Sequence, residues 1–228
     1  MLVAFEGQDG AGKTSLLEAV HAELELRGIT SVVVEEFSDS LHGQRLIDAV
    51  ARDKFLRPVA NEPSTHFTRA LEEVADLYYL DERVIGPALS RGEVVLKDRH
   101  RDTIFYTLIP TLASSGAIAN EERALTWLSV LCSELKHPPD LTVYVSAPLD
   151  VRLERIAQRE RHLVEDRAHE VSDDDRAVFA ARDRIMRWLM DDESGRFLIV
   201  NNGKQSIEKG AREVVEAISW RMEMEGTT

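Results

Sequence analysis

Residues 2–14 read Leu2-Val3-Ala4-Phe5-Glu6-Gly7-Gln8-Asp9-Gly10-Ala11-Gly12-Lys13-Thr14. A short apolar run passes into the phosphate-loop pattern G-x-x-x-x-G-K-[ST], filled at Gly7, Gly12, Lys13 and Thr14, and a helical pattern opens at Ser15. Glycine has no Cβ, so the backbone can turn back on itself. The N–H groups of Gly10, Ala11, Gly12, Lys13, Thr14 and Ser15 can then surround a phosphate at the helix N-terminus. Lys13 is placed to reach the outer phosphates of a nucleoside triphosphate, and the Thr14 hydroxyl to hold Mg²⁺. Glycine-rich turns also serve packing alone, but a strand before and a helix after are the flanks a phosphate site requires.

Outward from this stretch, apolar runs recur at residues 31–34, 93–96, 141–145 and 197–200. With residues 2–5 they read as five strands, and their β-branched, near-continuous apolarity suits a parallel sheet covered on both faces. Helical segments lie between them. Residues 15–27 stop at Gly28, residues 65–90 stop near Gly92 with a kink expected at Pro87, and residues 150–158 follow Pro148. Ser172 before three aspartates reads as a helix start favoured by the dipole. The alternation predicts an α/β fold: a three-layer, doubly wound, five-stranded parallel sheet in one domain spanning residues 1–228. Two segments fit the sheet less well. Residues 39–62 are expected to hold a short helix over 44–51 and a loop through Pro58 and Pro63, part of an acceptor-side segment over about 36–75. Residues 159–172 are polar and mixed in charge, and are expected to form a helical lid.

The 228 residues carry a formal charge of −13, which argues against a general nucleic-acid surface, because displacing counterions from phosphates needs a basic face. A small phosphorylated ligand needs only a local cluster of donors, for which Lys13, Arg99, Arg159, Arg161 and Arg167 are candidates. No apolar run approaches membrane-spanning length, and a strand at residue 2 leaves no room for a signal peptide. A cytoplasmic protein with no membrane partner is expected. Cys132 is the single cysteine; it reads as a buried thiol, with no disulfide and no cysteine-based metal site.

Residues 93–98 end a strand in Asp98, a carboxylate that beside a phosphate loop holds Mg²⁺ directly or through water. Arg99 follows at the strand edge where ligands meet a parallel sheet. Residues 5–14 together with Asp98-Arg99-His100 resemble the thymidylate kinase family, with further likeness at residues 84–89, 92–96, 139–145 and 197–201. The resemblance implies ATP and Mg²⁺ as cofactors and a monophosphate as the small-molecule phosphoryl acceptor, with Asp9 on the acceptor sugar and Glu36, Arg99 and His100 facing the acceptor. Arg155, Arg159 and Asp166-Arg167 resemble the family's lid. Arg159 and Arg167, ahead of Arg161, are expected to stabilise charge on the transferring group. The family is usually dimeric through packed helices, so a homodimer through residues 71–89 and 124–135 is possible, although burial within the monomer explains those apolar positions equally well.

The departures from the family fall on the acceptor side. Only Glu36 survives of an Arg-Glu-Pro loop, here Glu35-Glu36-Phe37. Glu73 and Leu77 stand where an aromatic platform and a thymine-binding arginine belong, and Phe105-Tyr106-Thr107-Leu108 replaces a small-aromatic-amide ending. A carboxylate cannot replace a bidentate arginine on a base carbonyl, so the acceptor stays open. A nucleoside or other hydroxyl acceptor would need a base such as Glu36 or Asp98; an ATP-binding regulatory switch needs no acceptor. Tyr78, Tyr79, Phe105 and Tyr106 are expected in the core. His66 and His100 lack metal-ligand spacing, and His100 is expected nearer the ligand.

Overall fold

Strand β1 (Leu2–Glu6) is buried along its whole length, as an uninterrupted apolar run requires when helices cover both faces of a sheet. It pairs in parallel with β3 (Val94–Asp98), Phe5 opposite Asp98, and with β4 (Leu141–Ser146), Glu6 opposite Tyr144. Strand β2 (Ser31–Val34) lies outside β3 and β5 (Phe197–Asn201) outside β4, giving the order β2-β3-β1-β4-β5. The five parallel strands are those expected from the sequence. This computed structural model describes residues 1–53, 55–56, 58, 64–163, 172–203 and 205–225, with the side chains of 159–163 outside that description.

On one face of the sheet, α1 (Lys13–Leu26) packs with α9 (Ile207–Glu225). Leu16, Val20 and Leu24 meet Val214 and Ile218 over Val3, Phe5 and Val143. On the other face a second cluster joins α3 (His66–Leu80), α5 (Arg101–Ser114), α6 (Glu121–Cys132) and α8 (Asp173–Asp192). Each fully buried Leu, Ile or Val contributes about 1.5–3 kcal/mol, so these two faces fix the sheet and the loops at its carboxyl edge. Cys132 is buried in the second cluster, as expected. Among the described residues, no helix is long and apolar enough to cross a membrane.

The boundaries differ from the sequence reading in instructive places. Residues 65–90 form α3, a π turn at Asp81–Ile85 and α4 (Gly86–Ser90). The irregularity therefore precedes Pro87 instead of centring on it. Proline has no N–H and clashes with the preceding turn, and the wider turn, in which Gly86 N donates to Asp81 O, absorbs that conflict. The buried Asp81 carboxylate accepts from Lys136 N (2.9 Å) and from His137 N (3.2 Å), pinning this turn to the segment before β4. Helix α2 (Leu41–Arg52) begins earlier than residue 44 because the Ser40 side chain caps it, accepting from His42 N and Gly43 N. Helix α7 (Leu149–Leu163) runs beyond residue 158. Helix α8 starts where the acidic run predicts, in a capping box in which Ser172 and Asp175 bond reciprocally. Helix α5 is buried on nearly every side and carries Pro110 within it.

Candidate active site

The phosphate loop is shaped by backbone. Gly7, Gly10 and Gly12 have φ of 140°, 77° and 89°, and a Cβ on Gly10 would lie 2.4 Å from Arg152 O. No side chain caps the start of α1, so its first N–H groups face the loop free for an anion. Lys13 Nζ is 3.5 Å from Asp98 Oδ1, both side chains nearly buried. Asp98 Oδ1 has no hydrogen-bond partner among the described residues, while Thr14 and Ser15 are exposed. Mg²⁺ keeps several waters and needs few protein ligands beside phosphate, so the exposed Thr14 hydroxyl and the Asp98 carboxylate, ion-paired with Lys13 but with no hydrogen bond on Oδ1, fit it. Among the described residues there is no three-residue metal cage.

Side chains from the far end of the sequence hold this loop. Arg152 Nε donates to Asp9 O (3.1 Å), Asn202 Nδ2 donates to Ala11 O (2.7 Å), and Gln8 Nε2 donates to Phe179 O (3.0 Å) and to Asp183. Arg155 Nη1 donates to Gly10 O and Ala11 O, both at 3.3 Å, and its Nη2 donates to Asn202 O at 3.1 Å. The reading of Arg155 as a lid residue is therefore corrected: its guanidinium is committed to the loop backbone.

On the other side of Lys13 the chain is strained. Arg99 has φ 58°, the left-handed region that costs about 1–2 kcal/mol for a residue with a Cβ. Its backbone N–H still bonds Phe5 O (3.0 Å), and the next, His100 N, donates to Glu6 Oε1 (2.8 Å). The turn aims the Arg99 guanidinium back over the loop: Nη2 lies 2.7 Å from Asp9 Oδ1, and Nε lies 3.2 Å from Glu36 Oε1. Its Nη1 donates to Gly7 O (3.1 Å) and Tyr106 Oη (2.5 Å). Burial opposes charge on Arg99, but Tyr106, Glu36, Asp9 and Asp98 around it outweigh that and hold it firmly protonated. Lys97 is spent on structure, donating to the carbonyls of Glu35, Glu36 and Asp98 at 2.5, 3.0 and 2.7 Å. Burial pushes its pKa down to about 8.

Behind Arg99 opens a cavity of about 350 Å³ between the loop after β2, α3, α5 and α8. Glu36, Glu73, Leu77, His100, Ile104 and Arg182 are among its lining residues. Burial, with the positive charges of Lys97, Arg101 and Arg196, holds His100 neutral. Burial also raises the Glu73 carboxyl to about 8.

Asp9, Glu36, Arg99 and His100 thus converge, as do Lys13 and Asp98 beside the loop. Arg159 lies on α7 with its side chain outside the described residues; Arg167 and residues 164–171 lie outside them altogether, as do residues 57 and 59–63 of the acceptor-side segment. His66 opens α3 but lines a different cavity, beside α5 and α8. Phe105 and Tyr106 are in the core as expected, yet the Tyr106 hydroxyl also positions Arg99. Sequence reasoning missed that role, as it missed Gln8, Lys97, Arg152, Arg182 and Asp183. Arg152 had a faint signal, three positions before Arg155 and so on the same helical face; Arg182 had none.

The family model described as thymidylate kinase matches residues 5–214. The chain is 27% identical over 219 residues to a probable thymidylate kinase of Halorubrum lacusprofundi, covering 96% of this chain and 98% of that one. It is 29% identical over 161 residues to a thymidylate kinase of Pseudomonas savastanoi pv. phaseolicola, covering 71% and 70%. To a probable thymidylate kinase of Halobacterium salinarum it is 32% identical over 150 residues, covering 66% and 67%.

Proposed function

The chain belongs to the thymidylate kinase family of ATP-dependent phosphotransferases acting on nucleoside monophosphates, and we propose that the cavity behind Arg99 seats the acceptor monophosphate for in-line transfer from MgATP. The observation that carries this reading is the Asp9–Arg99–Glu36 cluster, which stands between the Lys13–Asp98 pair and the cavity. An arginine held by two carboxylates is preorganised: with Nε, Nη1 and one Nη2 proton committed to Glu36, Gly7, Tyr106 and Asp9, its second Nη2 proton and its fixed positive charge suit an oxygen of a phosphate or sugar.

In this reading Gly7, Gly10, Ala11, Gly12, Lys13, Thr14 and Ser15 bind the donor phosphates, with Thr14 and Asp98 holding Mg²⁺. The ion supplies charge neutralisation on the donor phosphates. Lys13 reaches their oxygens from the other side, and Asp98 sets its position. Asp9, Glu36, Arg99 and His100 orient the acceptor. Its phosphate is already anionic and a competent nucleophile, so Glu36 is needed to fix Arg99 and not as a general base. Arg159 and Arg167 complete the charge stabilisation from a lid over residues 159–172, on one domain of residues 1–228 with an acceptor-side segment at about 36–75. The protein works in the cytoplasm on a small-molecule acceptor. Exposed Leu71 on α3 and Val130 on α6 support a homodimer through those helices.

The test is ADP release with MgATP and a panel of monophosphates and free nucleosides. Acceptor-stimulated release with monophosphates is expected. Release only with nucleosides, or at a rate no acceptor changes, overturns the reading. At least one of Arg159→Ala and Arg167→Ala should lower kcat about 100-fold; an unchanged kcat in both removes the lid assignment.

A further inference from the structure

The cavity behind Arg99 is not a neutral container. Glu73, His100 and Arg182 line it with relative exposures of only 7%, 2% and 6%. Each keeps buried polar atoms without a hydrogen-bond partner among the described residues: Glu73 Oε1, both ring nitrogens of His100, and Arg182 Nε. Orphaned groups at this depth cost stability. Three of them on one cavity mark a built ligand site, because the ligand restores the missing bonds.

Their polarity says what kind of ligand edge is absent. Thr107, which also lines the cavity, has committed its hydroxyl proton to Thr103 O at 2.6 Å, so toward a ligand its oxygen can only accept. Glu73 Oε1 is a second oxygen in need of a proton. Two further polar side chains on this wall are already spent elsewhere: the Asp76 carboxylate accepts from Ser38, and the Thr103 hydroxyl donates to Glu6. Leu77 from α3 and Ile104 from α5 offer no hydrogen bond. Toward a ligand the α3–α5 wall therefore presents acceptor oxygens, those of Glu73 and Thr107 among them, beside apolar groups. Donors come from elsewhere: Arg182 from α8 and the neutral imidazole of His100, either of which can serve the carbonyl or phosphate oxygens any nucleotide carries.

We propose that the acceptor base carries an exocyclic amine, read by Glu73 and Thr107, so that the site takes an amino-substituted nucleoside monophosphate in preference to thymidylate. An –NH₂ group has two protons and can donate to both oxygens. Thymine has one ring N–H flanked by two carbonyls, and a carbonyl turned to this wall meets the Thr107 lone pairs, with the Glu73 hydroxyl of the acid form as the one donor it could use there. In the acid form that burial favours, the Glu73 carbonyl oxygen still accepts while its hydroxyl can donate to the ring nitrogen beside an amine, the edge of cytosine or adenine. This inference rests on the phosphotransfer reading and names its substrate class.

The experiment is steady-state phosphorylation with saturating MgATP of cytidylate, adenylate and guanylate, in ribo and deoxy forms, against thymidylate and uridylate. An amine-bearing acceptor should exceed thymidylate in kcat/KM by at least about tenfold, since a site built around a hydrogen-bonding group rejects analogues that lack it. Glu73→Leu should shrink that ratio about tenfold or more, and Glu73→Gln, which keeps the accepting oxygen, should preserve most of it. Removing an orphaned buried carboxyl does not threaten folding. Thymidylate preferred by the wild type, or a ratio that Glu73→Leu leaves unmoved, overturns the inference while phosphotransfer stands. No product from any monophosphate overturns both.

Discussion

The phosphate loop, which carries Lys13, and the cavity behind Arg99, which we propose for the acceptor, are built by different means. The loop is contiguous backbone: three glycines at positive φ, an uncapped helix start, and Arg152, Arg155 and Asn202 bonded to its carbonyls. What it recognises, phosphate, is met by N–H groups that every sequence possesses. The cavity is made of side chains from the loop after β2, α2, α3, α5 and α8, and its selectivity changes with single residues. A backbone site resists drift in its chemistry, whereas a side-chain site can be rewritten without disturbing the fold. On the proposed reading, that is how a chain can keep a phosphate loop while side chains such as Glu73 and Leu77 reshape the cavity beside it.

Breaking the loop gives the largest expected effect. In Gly10→Ala the new Cβ sits 2.4 Å from Arg152 O at φ 77°, and neither the backbone oxygen nor the turn can yield. Activity should fall at least about 10³-fold, with lost ATP binding seen by calorimetry. A variant with ordinary ATP affinity would mean the loop is not backbone-determined.

On the acceptor side the strongest effect is on stability. Burial raises the Glu73 carboxyl from 4.5 to about 8. Between those pH values the folded chain holds a proton that the unfolded chain has released, so this residue's contribution to stability declines as pH rises across the window. Glu73→Gln removes the decline. Urea melts at fixed pH should show the variant gaining on the wild type from pH 5 to pH 8, on the order of 3 kcal/mol. A constant difference would show Glu73 charged and paired in the folded state, and the cavity less dry than the fold implies.

The smallest expected effect lies at the junction. Tyr106→Phe deletes the hydroxyl bonded to Arg99 Nη1 and leaves the ring in the core. The acceptor KM should rise about fivefold, near 1 kcal/mol, with little change in the KM for ATP. Equal changes in both would join the two halves into one unit.

Much of this molecule is legible in its sequence because the signals are local. Five apolar runs gave the strands within one or two residues, and Ser172 with Asp175 announced the start of α8. Where the reading slipped, a non-local cause competed. The π turn before Pro87 is held by Asp81 reaching segment 136–137. Arg155 looked like a lid residue until the fold brought residues 10, 11 and 202 against it. Arg99 was found from its place at the strand edge, and Asp9 and Glu36 through motif resemblance, but that Arg99 joins the two carboxylates was not readable.

By itself, then, the sequence determined the parallel sheet and the place of the phosphate loop, and pointed to Lys13, Thr14 and Asp98 beside it. Periodicity, glycine positions and short-range spacing are properties of neighbouring residues. Only the tertiary structure assembled the cavity behind Arg99. Arg182 meets Glu73 across one cavity from more than a hundred positions away. A carboxyl raised by burial, a neutral imidazole and a guanidinium Nε without a hydrogen bond come into being only when packing removes water from those atoms.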